Sequence, residues 1–265
     1  MEAKPRRCGK RKQSTNDDWK RQYDLELMNR YEAAEALARY KTAIFPLGAT
    51  EQHGPHLPLG TDSFLARELA FRLARRIGAV VLPVLPIGYS WVWRDIPGTV
   101  SIDQERVKWI IKDVVRSLHR SSKIERFVVI SAHGANDAAM KYAVRELADE
   151  VPVRCYYFVY PGVKESAARH ARTPMWEGAL HACELETSWM LATRPDLVDM
   201  SKAVREYPDT PRNKLYHHSS LPMGALSESG VFGDATAADA QTGEVMLQEL
   251  VEYMAAVLEQ DGQSC

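Results

Sequence analysis

Hydrophobic residues fall along this chain in short unbroken runs alternating with longer, regularly spaced series. Residues 42–45, 80–85, 127–130 and 153–159 are the short runs, and their lack of polar interruption suits strands buried on both faces of a parallel sheet. The spaced series read as amphipathic helices. Residues 63–77 set Leu65, Leu69, Leu73 and Ile77 four apart, with Asp62 or Ser63 as the cap and Gly78 at the end. Residues 23–40 carry Leu25, Leu27, Met28, Tyr31, Ala34 and Leu37 near helical spacing, and a helix from Asp103 or Gln104 to His119 turns Val107, Ile110, Ile111, Val114 and Leu118 inward. Further helices are predicted over 137–148, from about His181 to Leu191, and over 242–258. This alternation predicts an α/β fold, a three-layer sandwich around a mostly parallel sheet. Residues 20–265 read as a single domain without internal repeats, and the segment from Ser201 to Ala240 as mostly loop.

The densest chemistry follows the first strand. Residues 46–62 read Pro-Leu-Gly-Ala-Thr-Glu-Gln-His-Gly-Pro-His-Leu-Pro-Leu-Gly-Thr-Asp and place Glu51, His53, His56 and Asp62 within twelve positions. Carboxylates and imidazoles so concentrated suit a divalent transition metal. Glu51 and His53, two apart, point the same way in an extended segment, and Gly54, Pro55, Pro58 and Gly60 let the chain turn back to bring in Asp62. The third strand runs into Ser131-Ala-His133-Gly134-Ala135-Asn136. Ligand sites in parallel α/β sheets collect beyond the carboxyl ends of strands, where both segments lie, so Glu51, His53, Asp62 and His133 are expected at one site. The aromatic loop holding Trp91 and Trp93 needs a covering partner, whether substrate, another loop or a second subunit. His217 and His218 read as surface residues.

Composition narrows the possibilities further. The chain has 265 residues, 45% of them hydrophobic, and a formal net charge of −1, so no general attraction to nucleic acid or anionic lipid is implied. No apolar run approaches the roughly 20 residues needed to cross a bilayer. Cys8, Cys155, Cys183 and Cys265 show neither metal nor disulfide spacing, which favours a cytoplasmic location, with Cys155 in the core. Residues 1–19, with Lys4, Arg6, Arg7, Lys10, Arg11 and Lys12, read as a disordered basic tail.

The 46–62 segment resembles the creatininase (creatinine amidohydrolase) family signature Pro-x-Gly-Ser-x-Glu-Gln-His-Gly-x-His-Leu-Pro-Leu-x-Thr-Asp, with Ala49 in place of Ser. His133-Gly-Ala-Asn136 resembles the family's His-Gly-Gly-Asn, Pro97-Gly98-Thr99 its Pro-Gly-Thr, and His181-Ala-Cys-Glu-Leu-Glu186-Thr-Ser its His-Ala-Gly-x-x-Glu-Thr-Ser. The resemblance implies a creatininase-like fold, a hexamer built from dimers, and a small-molecule substrate hydrolysed by a metal-bridging hydroxide. It implies two divalent ions (zinc, manganese or iron), with Glu51 and His133 on one, His53 on the other and Asp62 bridging. Creatininase carries a Glu where Ala135 stands, which argues against creatinine as the substrate. Glu186 is then expected as the remaining ligand, although helical spacing from His181 favours Glu184. His181 is the expected general acid/base, His56 a residue orienting a ligand, and Trp176, Glu177 and Trp93 the expected substrate contacts. Opening of a cyclic amide or cleavage of a formamide is the leading expectation. Hydrolysis of a cyclic keto-sugar or keto-inositol, or peptide cleavage in cofactor maturation, belongs to the same family chemistry. The rival from another class is a noncatalytic metal-containing scaffold whose basic arm binds nucleic acid.

Overall fold

The computed structural model describes residues 18–177 and 179–262; the basic residues at positions 4–12, Cys8 and Cys265 lie outside them. The described chain begins with a 3₁₀ turn at Asp18–Gln22, where Trp19 packs edge-on against Phe71 at 6.5 Å. The main elements follow in the order α1 (Arg30–Tyr40), β1 (Thr42–Leu47), α2 (Thr61–Ile77), β2 (Val80–Val81), α3 (Gln104–Ser122), β3 (Arg126–Ser131), α4 (Asp137–Leu147) and β4 (Arg154–Val159). Then come α5 (Val163–His170), α6 (Glu184–Thr193), β5 (Arg205–Glu206), α7 (Arg212–Tyr216), β6 (Gly233–Asp234) and α8 (Ala240–Gly262).

The four main strands form one sheet in the order β2-β1-β3-β4, and every pairing is parallel. Alternate residues of a strand face opposite sides, and here each side has its own core. Ile44, Val128, Ile130 and Phe158 pack with α2, α6 and α8. Ala43, Phe45, Leu47, Phe127 and Val129 pack with α3 and α4 and with Leu37 of α1. The predicted α/β sandwich of three layers is therefore the observed architecture. Among the described residues no helix is long and apolar enough to cross a membrane.

Three local expectations are corrected. The helix expected over 23–40 is interrupted: Asp24 accepts from the Glu26 backbone N–H, and Asn29 caps α1 by accepting from the N–H groups of Tyr31 and Glu32. Short polar side chains that bond to nearby backbone compete with helix continuation. The strand expected over 80–85 pairs only at Val80 and Val81, with an isolated bridge at Leu85, since Pro83 has no N–H to donate. Finally, α2 is preceded by Gly60 rather than capped by Asp62 or Ser63. Both lie inside its first turn, where the Ser63 hydroxyl donates to the Ala49 carbonyl. A Cβ on Gly48 would sit 2.2 Å from Ser63 Oγ, so the signature loop crosses the start of α2 only because Gly48 has no side chain.

Candidate metal centre

Three chain segments converge beyond the carboxyl ends of the two central strands. The loop after β1 supplies Glu51 and His53, the residue pair that points one way. The first turn of α2 supplies Asp62, and the residues after β3 supply His133. The third segment gives His181, just before α6, and five residues on Glu186 in the first turn of that helix. None of these six is more than 6% exposed. Carboxylates in the first turns of α2 and α6 are favoured by the partial positive charge at helix N-termini.

His133 Nδ1 lies 3.2 Å from Glu51 Oε1 and 3.3 Å from Asp62 Oδ2, while His53 Nε2 lies 3.2 Å from Asp62 Oδ1. The donor atoms of Glu51, Asp62 and His133 form one set within 4.8 Å of one another, and those of His53, Asp62 and Glu186 form a second; Asp62 belongs to both. A third set, Glu51, His53 and His181, overlaps them. The remote nitrogen of each ring is anchored on backbone: His53 Nδ1 donates to the Glu51 carbonyl at 3.1 Å and His133 Nε2 to the Tyr89 carbonyl at 2.8 Å. Such anchoring leaves the other nitrogen's lone pair directed into the centre, as metal-ligating histidines require.

The acids are equally constrained. Glu186 accepts from the Tyr160 hydroxyl at 2.8 Å and from the Ala182 N–H at 2.5 Å, the latter from a residue held at φ 49°. Glu184 faces elsewhere, accepting from the N–H groups of Arg172 and Thr173 and from the Thr173 hydroxyl. His181 precedes α6, so helical spacing to Glu184 does not apply to it. Of the two candidate acids the structure brings Glu186 to the centre.

Fit to a metal is tested by the oxygens left over. Glu51 Oε2 and Asp62 Oδ2 are buried without a hydrogen-bond partner; Asp62 Oδ2 and His133 Nδ1 are close but not aligned as donor and acceptor. Buried carboxylate oxygens left unpaired are costly, and a cation satisfies them. The site's field points the same way. Burial alone would lower the His53 imidazole, yet Asp62, with Glu186 and Glu51 behind it, pushes it up to about 10. His133 is likewise raised against burial, chiefly by Glu51. Burial opposes ionisation of Asp62, but His53 and His133 hold it well below the usual carboxylate range. Burial pushes Glu186 up to about 7 against the pull of His53. A centre that attracts positive charge this strongly, with carboxylate and imidazole donors, fits divalent cations.

Beside the centre, the His181 ring stacks on Trp93 (ring centroids 4.2 Å apart) and lies tilted by 35° against His53 (4.5 Å). Burial, then the positive His53, holds its basicity well below an ordinary imidazole's. Its Nδ1 lies 3.8 Å from Glu51 Oε1. Trp93 is buried, and Phe232 packs edge-on against both Trp93 and His181. Trp176 packs on Phe232 and donates its indole N–H to the Pro208 carbonyl. Glu177, on the rim, accepts from Asn213 and pairs with His217 at 2.7 Å. His217 is exposed as expected, and that contact ties it to Glu177. His56 bonds the Thr187 hydroxyl at 2.8 Å, fastening the signature loop to α6 next to Glu186. Cys155 is only half-buried because β4 is the sheet's edge strand. Sequence reasoning missed Tyr160 and Gln52, neither of which carries a ligand signature. A cavity of about 910 Å³ opens elsewhere, lined by Trp19, Arg72, Glu244 and Glu252 among others, and contains none of the centre's residues.

The family profile described as creatininase, creatinine amidohydrolase, matches residues 26–258. The chain belongs to the creatininase family. It is 31% identical over 237 residues to the creatinine amidohydrolase of Pseudomonas putida, covering 82% of this chain and 88% of that protein. It is 33% identical over 214 residues to the mycofactocin precursor peptide peptidase of Mycolicibacterium smegmatis, covering 78% and 80%. A solved structure titled "Creatininase Mn" superposes with a TM-score of 0.74 at 26% identity, covering 90% of this chain and 98% of that one. As a member of the creatininase family the chain is a hydrolase, and its donor clusters together with that manganese-titled structure support a divalent metal.

Proposed function

We propose that this creatininase-family hydrolase works with two divalent metal ions on a small polar substrate, opening a cyclic amide or cleaving a formamide. The observation that carries the reading is the sharing of Asp62 between two compact donor sets. Glu51, Asp62 and His133 would hold one ion and His53, Asp62 and Glu186 the other, with zinc, manganese or iron all compatible with such donors. When bound, such a pair makes water nucleophilic near neutral pH and polarises the scissile carbonyl.

The chain's own residues orient the substrate and move the proton. His181, its Nδ1 turned toward Glu51, is the group placed to take a proton and return it to the departing nitrogen. Burial keeps it neutral. Trp93, Trp176 and Glu177 would form the substrate wall: Trp93 against His181, Trp176 through Phe232, and Glu177 on the rim with His217. Enclosure supports a compact substrate over an extended peptide, because no donor residue exceeds 6% exposure. Ala135 supplies no carboxylate after His133, and Glu186 takes over that ligand role. The family resemblance also suggests a hexamer, for which sedimentation would give the mass directly.

The test is metal analysis of the purified protein followed by a screen of lactams, hydantoins, formamides, cyclic ketones and short peptides. Two ions per chain with turnover of a cyclic amide or formamide is the expected result. Full activity after exhaustive chelation would overturn the reading.

A further inference from the structure

His181 can act as proposed only if one particular ring edge faces the centre. Its two ring neighbours do not decide this. Trp93 and His53 pack against the faces of the ring, and a half-turn about Cβ–Cγ restores the same faces. That half-turn, however, puts carbons where Nδ1 and Nε2 stood. What distinguishes the two orientations must therefore address the ring edge.

We infer that Gln52 is the positioning residue that holds His181 with Nδ1 toward Glu51. His181 Nε2 lies 2.8 Å from the Gln52 side-chain nitrogen and 2.9 Å from the Gln52 carbonyl oxygen. One residue thus offers Nε2 both a donor and an acceptor: Nε2 accepts from the amide when the ring's proton is on Nδ1 and donates to the carbonyl when it is on Nε2. The amide's orientation is itself fixed by backbone: Oε1 accepts from the Gly54 N–H at 2.9 Å, and Nε2 donates to the Gly230 carbonyl at 3.1 Å. With one amide hydrogen on Gly230, the other points at His181. A flipped ring would present a carbon to Gln52, leaving a buried donor without a partner.

Gly230 makes room for this arrangement. A Cβ there would lie 1.9 Å from Gln52 Oε1, and its φ of +82° is one that L side chains rarely adopt. Two residues on, the Phe232 N–H donates to the His181 carbonyl at 3.0 Å. The 230–232 turn therefore fixes the His181 backbone and, through Gln52, its ring.

The inference rests on the acid/base reading of His181, and the experiment separates the two. Zinc-loaded protein labelled with ¹⁵N-histidine is prepared as wild type, Gln52→Leu and Gly230→Ala, the last displacing the amide without substituting any residue of the signature loop. Long-range ¹H–¹⁵N spectra report the ring's nitrogens, with His181→Gln used to assign its signals. Both variants are expected to show a second His181 ring environment and an about tenfold lower kcat, the worth of one buried hydrogen bond. KM is expected within about twofold and zinc content unchanged, a split that general unfolding does not produce. A single native ring environment in both variants would overturn the positioning role. A second environment with undiminished turnover would uphold it and instead remove His181 from the reaction.

Discussion

Replacing Tyr160 by Phe removes one hydroxyl from the centre and little else. The ring stacks on Trp189 at 5.1 Å with planes 29° apart, so a phenylalanine keeps the packing. Only the hydrogen bond to Glu186 Oε1, 2.8 Å long and buried at both ends, is lost. A hydrogen bond to a charged group is worth about 1.5–3 kcal/mol, or roughly 10- to 100-fold in an equilibrium, matching the usual cost of losing a residue that supports a metal ligand. The loss should fall on one ion alone, because Glu186 belongs to the set with His53 and Asp62 and not to the set with Glu51 and His133. Burial already pushes Glu186 up to about 7, and without Tyr160 it rises further, so the variant should need a higher pH to take up that ion. Stepwise zinc removal by a chromophoric chelator reads both affinities. Equal weakening of both sites, or of neither, would refute the assignment of Glu186 to a distinct half of the centre.

Asp62→Asn should weaken both ions and lower turnover by about 10³-fold or more, several kcal/mol of transition-state stabilisation, while circular dichroism stays native. Glu184→Gln and Glu186→Gln should separate fold from site. The first weakens the capping of Arg172 and Thr173 and costs about 1–3 kcal/mol in chemical denaturation with metal content intact; the second releases one ion. Zinc binding near pH 7 should expel about two protons, since His53 is pushed up to about 10 and His133 raised in the metal-free protein. Calorimetry in buffers of differing ionisation heat measures the release, and a count near zero would contradict the direction of both shifts. The sign carries over to the metal-free fold. A raised imidazole stabilises fully below its unfolded value of about 6.5, and that stabilisation fades as pH climbs through about 10. A metal-free melting temperature that failed to fall between pH 8 and 11 would count against it.

The sequence pattern made the fold legible because the parallel strands are buried on both faces: the central runs at 42–45 and 127–130 have no polar break to mislead the eye. Where structure departed from pattern, backbone chemistry outweighed periodicity. Pro83 ends β2 early, and Asn29 ends one turn and begins a helix inside a continuous hydrophobic series. Asp62 was legible as a centre residue but misread as a helix cap. Both roles draw on the same carboxylate, and the structure leaves Asp62 Oδ2 to the centre instead of a backbone N–H.

What stayed hidden has a common cause. Ligands announce themselves by type and spacing, since carboxylates, imidazoles and thiolates are the side chains that most often bind these cations, and here they cluster near strand ends. The groups that aim them do not. Tyr160 reaches Glu186 from the end of β4, twenty-six positions away, and Gln52 reaches His181 across 129. The Tyr89 carbonyl that anchors His133 has no side-chain identity at all. Any residue with a donor in the right place would serve, so nothing in the residue type marks the role. The choice between Glu184 and Glu186 turned on the same point. Both are first-turn helix carboxylates in sequence, and what separates them is the company they keep: backbone N–H groups of the 172–173 turn for one, Tyr160 and the Ala182 N–H beside the centre for the other. The two acids are therefore told apart by what supports them, not by residue type or spacing.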